Sequence, residues 1–156
     1  MNLKKYLSPE NVLLDLKSTS KNDVINELVD FVINAHENGE SLDREEIVRA
    51  VFEREAQMST GMRNGIAIPH GKTDAVNDLL AAIAISKNSV DFDSLDGKPS
   101  KIFIFTLSPS NATGLHLQFL AEVSNLLKDG ETRNRMLEAK TKEEMLQIFF
   151  GEKKNA

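Results

Sequence analysis

Lys101-Ile102-Phe103-Ile104-Phe105-Thr106-Leu107 decides the fold. Ile102 to Phe105 are apolar in direct succession, whereas a strand with one wet face would alternate apolar and polar side chains. The run has strand length and predicts a strand covered on both faces. Residues 79–85, Leu79-Leu80-Ala81-Ala82-Ile83-Ala84-Ile85, form a second such run. Segments with helical periodicity precede and follow these strands. Covered strands with helices on either side in sequence predict an α/β (α+β) domain of three layers, α/β/α.

Working outward, residues 12–16 read as a short first strand. Ser20 reads as a helix cap, with Asp23 three residues on. Val24, Ile25, Leu28, Phe31, Val32 and Ala35 follow at helical spacing, and Gly39 closes that helix. A second helix starts near Asp43, with Ile47, Ala50 and Val51 on its inner face. Residues 58–72 read mostly as loop, with 66–68 as a short strand. Residues 90–92 read as another short strand, leading into the turn Asp93-Ser94-Leu95-Asp96-Gly97. Beyond Pro109 the pattern is helical, at about 116–128, 131–139 and 141–150, and Thr141 with Glu144 forms a capping-box pattern.

The 156 residues are read as one domain, 1–156, and 40% hydrophobic residues suffice for a core. A net charge of −5 argues against a general nucleic-acid binder. With no cysteine there are no disulfides, thiolate metal sites or cysteine nucleophiles, which fits a reducing compartment. Met1-Asn2-Leu3-Lys4-Lys5 lacks the apolar run of a signal peptide, and no apolar stretch approaches membrane-spanning length. The expectation is a cytoplasmic protein without membrane insertion.

The chemistry concentrates in Ser59-Thr60-Gly61-Met62-Arg63-Asn64-Gly65-Ile66-Ala67-Ile68-Pro69-His70-Gly71-Lys72. Pro69 fixes its own φ and biases Ile68 toward extended backbone; Gly71 permits a sharp departure and close approach of another group. His70 therefore sits at the end of a stiff segment, and imidazole is a competent nucleophile near neutrality. Arg54 stands at i+7 from Ile47 on the inner helix face. A lone charge there either snorkels to solvent, pairs with a carboxylate, or holds an anion. His116 precedes Leu120, Val123 and Leu127 at i+4, i+7 and i+11, so it tops the inward face of its helix in the first turn. It is either a satisfied core-edge histidine or a donor beside a helix N-terminus that favours anions. His36, near the end of the first helix, suits the dipole there when protonated and is assigned no function. A zinc site on His70 and His116 lacks any supporting H-x-x-x-H or cysteine spacing. No Walker-A, G-x-S-x-G or dinucleotide-binding pattern is present, and Gly61-x-x-x-Gly65 is too sparse for a phosphate loop. Asp91, Asp93 and Asp96 serve the turn.

A nucleophilic histidine with an arginine and a second histidine suits phosphoryl transfer, which needs alignment and positive charge around the moving oxygens. The attacking nitrogen must be unprotonated, so the other ring nitrogen should donate to a carbonyl.

Gly65-Ile66-Ala67-Ile68-Pro69-His70-Gly71-Lys72, preceded by Arg54 and Ser59-Thr60-Gly61, resembles the phosphorylation site of the fructose/mannitol-type IIA component of the bacterial phosphoenolpyruvate-dependent sugar phosphotransferase system (PTS), a family that includes the nitrogen-regulatory IIA proteins. Gly114-Leu115-His116-Leu117 with Leu120-Ala121 resembles its second histidine motif. Val90-Asp91-Phe92 with Leu95-Asp96-Gly97-Lys98-Pro99 resembles the segment between. The resemblance covers about 13–149. It implies a mixed β-sheet flanked by helices, and a phosphotransferase component needing no cofactor. His70 would take a phosphoryl group on Nε2 from the phosphohistidine of HPr and pass it to a cysteine of a IIB domain. Arg54 and His116 would stabilise the phosphoryl oxygens. The nitrogen-regulatory branch is phosphorylated on the same histidine but acts by binding regulatory proteins, and the site residues do not separate the two. Met62-Arg63 departs from the family, which often has a smaller, glycine-containing pair; Arg63 is expected to face solvent. Met58, Met62 and Leu117 are either a docking patch for HPr or ordinary core.

Overall fold

The computed structural model describes residues 2–151. Five strands form one mixed sheet: β1 (Val12–Leu13), β2 (Ile66–Ala67), β3 (His70–Lys72), β4 (Leu80–Val90) and β5 (Ser100–Ser108). The order is β1-β4-β5-β2, with β3 also on β5. β4 and β5 are antiparallel; β1 runs parallel to β4, and β2 and β3 run parallel to β5. Five α-helices accompany the sheet: α1 (Lys21–Ala35), α2 (Arg44–Gln57), α3 (Thr113–Leu126), α4 (Gly130–Glu138) and α5 (Lys142–Phe149).

The predicted three layers follow from the alternation of Cβ direction along β4 and β5. Ile102 and Ile104 join Ala81, Ile83 and Ile85 in one core, closed by Phe119 and Val123 of α3, Met136 of α4 and Phe149 of α5. Phe103, Phe105 and Leu107 join Ala82 and Ala84 in the other, closed by Val24, Leu28 and Val32 of α1 and by Ile47 and Val51 of α2. The uninterrupted apolar run is thus two interleaved faces, each with its own helical cover.

The helices begin where side chains satisfy their free N–H groups. Ser20 accepts from Asp23 N, Asp43 from Glu46 N, Asp129 from Thr132 N and Thr141 from Glu144 N. α3 has no such side-chain cap and begins at Thr113, earlier than the expected 116, so His116 lies within its first turn with its N–H on the Ala112 carbonyl.

Several local expectations change. α1 stops at Ala35; Gly39 lies beyond it, opening a short 3-10 turn (Gly39–Ser41). The first strand pairs only over Val12–Leu13, although Leu16 N still donates to Ile85 O at 2.9 Å. Residues 90–92 are not a separate strand: Val90 ends β4 opposite Ser100, after an irregularity following Ile85. Residues 58–72 are more ordered than a loop. The chain reverses at Asn64 and Gly65, whose φ values of 64° and 77° suit this Asn-Gly pair. It returns as β2, and His70-Gly71-Lys72 forms β3 against Thr106, Leu107 and Ser108.

β3 packs against α2 at Gly71. A Cβ on Gly71 would sit 3.2 Å from the Val51 side chain and backbone nitrogen, so the close approach expected of this glycine is real. Its backbone is extended and needs no left-handed conformation. His70 and Lys72, on the opposite face of the strand from Gly71, are turned toward α3. Gly71→Val should therefore lower stability by about 1–3 kcal/mol through overpacking, read as a lower urea midpoint at unchanged slope; an unchanged midpoint would show that α2 yields freely.

Candidate phosphoryl-transfer site

The sheet edge at β3 leaves a cleft between the two helical layers. It has a volume of about 570 Å³ and is lined by Ala50, Glu53, Arg54 and Gln57 of α2, His70, Gly71 and Lys72 of β3, and His116, Leu117 and Leu120 of α3. All three residues singled out in the sequence, His70, Arg54 and His116, meet here.

His70 is half-buried. Its Nδ1 lies 2.8 Å from the carbonyl oxygen of Ile68. A carbonyl only accepts, so Nδ1 carries the proton and Nε2 carries the lone pair. No buried side-chain nitrogen among the described residues lacks a partner, so Nε2, which has no hydrogen-bond partner among them, is open to the cleft. The strand supplies this geometry: Ile68, just before Pro69, aims its carbonyl back at the ring. Burial pulls the His70 pKa below its ordinary value; the hydrogen bond to Ile68 and the Glu55 charge oppose this, and the positive charges of Arg54 and Lys72 reinforce it. The ring stays neutral and nucleophilic at neutral pH.

His116 is buried, with 3% of its surface exposed. Its ring centroid is 5.1 Å from that of His70, at 58°. Its Nδ1 is 2.9 Å from Ser108 Oγ, so it is a satisfied histidine at the core edge, and it also lines the cleft. Burial first, then the fields of His70, Lys72 and Arg54, lower its pKa to about 4.

Arg54 is half-buried and donates from Nη1 to the Met58 carbonyl at 2.7 Å, closing the end of α2. Among the described residues it has no carboxylate partner. The charge at the inward end of α2 is instead Glu55, at i+8 from Ile47 and 7% exposed. It accepts from Thr60 N (2.8 Å) and Thr60 Oγ1 (2.6 Å) and pairs with Lys21 Nζ at 2.8 Å. Burial disfavours the Lys21 charge, but its bonds to Glu55 and Asp93 prevail and raise its pKa. Glu55 thereby ties the end of α2 to the segment entering β2, and Arg54 is left beside the cleft. The inner-face periodicity carried this signal one residue from where it was read.

Lys72, quoted in the motif but given no role, reaches Thr113 Oγ1 at 3.4 Å and adds a second cation. Ser108 was missed; a lone serine ending an apolar strand carries no sequence signal. The patch of Met58, Met62 and Leu117 divides. Met58 and Leu117 are 63% and 58% exposed, whereas Met62 packs on the core under α3 and lines a separate apolar groove with Ile66, Ile68 and Leu127. Arg63 is exposed as expected. Asp93 turns out to pair with Lys21, and Asp96 accepts from Asn64 N and Lys98 N. At His36, the Asn38 backbone N–H donates to Nδ1 at 3.1 Å, so that nitrogen serves as an acceptor for the turn after α1. Among the described residues no three His, Asp or Glu side chains are grouped to hold a metal, and no helix is long and apolar enough to cross a membrane.

Residues 5–151 match the family model described as "Phosphoenolpyruvate-dependent sugar phosphotransferase system, EIIA 2". The chain is 35% identical over 149 residues to the PTS system fructose-specific EIIABC component of Bacillus subtilis, spanning 96% of this chain and 23% of that protein. It is 34% identical to the nitrogen regulatory protein of Pseudomonas aeruginosa, over 94% of this chain and 93% of that one. The crystal structure of the nitrogen regulatory protein IIA-Ntr from Neisseria meningitidis superposes with a TM-score of 0.87 at 29% identity, over 96% of this chain and 99% of that one.

The depressed His116 pKa has a consequence for stability. Below pH 6.5 the unfolded chain takes up a proton on this histidine that the folded chain refuses until about pH 4. Stability is therefore lost as pH falls through that window, by roughly 3 kcal/mol from this residue. Urea titrations of the wild type and His116→Gln between pH 7.5 and 4.5 should diverge, the variant losing less toward acid; parallel profiles would show that His116 titrates normally.

Proposed function

The chain belongs to the EIIA 2 family of the phosphoenolpyruvate-dependent sugar phosphotransferase system, and from that premise we propose that it is a phosphocarrier that accepts a phosphoryl group from the phosphohistidine of HPr on His70 and passes it to a cysteine of a IIB domain. The observation that carries this reading is the His70 ring, held by the Ile68 carbonyl so that its Nε2 lone pair faces a cleft containing Arg54, Lys72 and His116. In the transfer, the Nε2 lone pair forms the new N–P bond. The bond to the donor nitrogen breaks, its electron pair stays with the donor ring, and Nδ1 of His70 keeps its proton on Ile68. The arginine supplies donors in a fixed fork and the lysine a compact charge as the three oxygens pass between rings. No dissociable cofactor takes part.

A second reading, a nitrogen-regulatory role in which phosphorylation of His70 controls binding to other proteins, is favoured by the TM-score of 0.87 to IIA-Ntr and the 34% identity to a nitrogen regulatory protein. Both readings share the chemistry at His70 and part at the next step. Phosphorylated chain mixed with a fructose-type IIB domain loses its phosphoryl group to that domain under the transport reading and retains it under the regulatory one.

Incubation with phosphoenolpyruvate, Enzyme I and HPr should add one phosphoryl group by intact mass, lost on acid treatment and absent in His70→Ala. A phosphorylated His70→Ala chain would refute the site. An unmodified wild type, with HPr itself phosphorylated, would refute the carrier reading.

A further inference from the structure

His70 and His116 hydrogen-bond through the same ring atom, Nδ1, but to partners of different kinds. His70 meets a carbonyl, which cannot donate. His116 meets the hydroxyl of Ser108, which can do either. Burial decides between the two. Ser108 is 0% exposed. Its hydroxyl has no hydrogen-bond partner among the described residues other than His116 Nδ1. If the imidazole donated, the Ser108 proton would be left buried without an acceptor, an arrangement that folded proteins avoid. If Ser108 donates, its proton is used and Nδ1 is satisfied as acceptor. The proton of the neutral ring then resides on Nε2. That nitrogen has no hydrogen-bond partner among the described residues either, and since no buried side-chain nitrogen among them is left without one, it is open to the cleft.

We propose that Ser108 is a positioning residue that fixes His116 in the Nε2–H tautomer, opposite to the Nδ1–H tautomer that Ile68 imposes on His70, so that the cleft presents one lone pair and one N–H donor to the same phosphoryl group. The inference rests on the phosphocarrier reading for its function but not for its geometry. A second lone pair beside His70 would repel the phosphoryl oxygens and compete as a nucleophile. A donor attracts those oxygens and leaves phosphorus to His70 alone. The two rings, 5.1 Å apart at their centroids, thus divide the work through their backbone and strand contacts. Ser108 ends β5 and faces α3, so the helix that carries His116 is oriented by the strand that pairs with His70. No proton leaves His116 during transfer: its N–H donates to an oxygen of the moving group and is retained.

The test is long-range proton–nitrogen correlation NMR of the full, unphosphorylated, nitrogen-15-labelled chain at pH 7.5. The proposal expects a protonated Nε2 and a bare Nδ1 on His116, with the reverse on His70. In Ser108→Ala the His116 nitrogens should move toward averaged values, and acceptance from phosphorylated HPr should slow several-fold, on the order of tenfold; Ser108→Thr, which keeps the hydroxyl, should restore both. A wild-type spectrum with the proton on Nδ1 of His116 overturns the proposal. So does Ser108→Ala with an unchanged tautomer or an unchanged acceptance rate. Failure of the phosphocarrier reading looks different: the wild type itself would take no phosphoryl group, whatever tautomers it shows.

Discussion

Burial of β5 on both faces is the constraint on which the rest of the structure depends. Ile102 and Ile104 demand cover from one side, Phe103, Phe105 and Leu107 from the other. α1 and α2 meet the second demand, and α3 to α5 the first. At the edge of the sheet the two layers overhang short strands, and the cleft between them is where the candidate site residues collect. Each layer contributes: α2 brings Arg54, α3 brings His116, and β3 between them brings His70 and Lys72. Gly71 lets the edge strand press against α2, so that the arginine and the first histidine are close without filling the gap.

The cleft joins two cations to two histidines that stay neutral, and the same causes account for both facts. Burial lowers the affinity of each ring for a proton, and Arg54 and Lys72 lower it further. Two cations thus sit beside histidine rings held unprotonated, with Glu53 as the carboxylate on the cleft lining. The buried Glu55 opposes this at His70, but burial and the Arg54 charge outweigh it, and Lys21 and Thr60 hold the carboxylate through a salt bridge and two hydrogen bonds. Turning the carboxylate toward the core while its neighbour Arg54 stays at the cleft depends on their being adjacent on a helix, about 100° apart around its axis.

Much of this was legible in the sequence. The two-sided strand pattern revealed the layers, three polar residues (Ser20, Asp43 and Thr141) marked helix starts, and the run around His70 with the second histidine motif indicated the family. What escaped notice did so for physical reasons. β3 reads His-Gly-Lys, with no apolar pattern, and is a strand only because β5 offers it hydrogen-bonding groups. The inward end of α2 was assigned to Arg54 because a charged residue at i+7 draws attention; the true inward residue, Glu55 at i+8, is tolerated by partners distant in the chain. Ser108 was invisible because its role exists only once α3 folds back over the end of β5. Met62 was grouped with Met58 by composition, although the turn at Asn64 and Gly65 sends it under α3 instead.

The central claim is that His70, held through Nδ1, reacts at Nε2 in a cleft that keeps it neutral. Phosphorus–nitrogen coupling in the NMR spectrum of the phosphorylated, nitrogen-15-labelled chain reads this bond directly. The account predicts phosphorus coupled to Nε2 of His70, with Nδ1 of the same ring still protonated. Phosphorus on Nδ1 of His70, or on either nitrogen of His116, would contradict it.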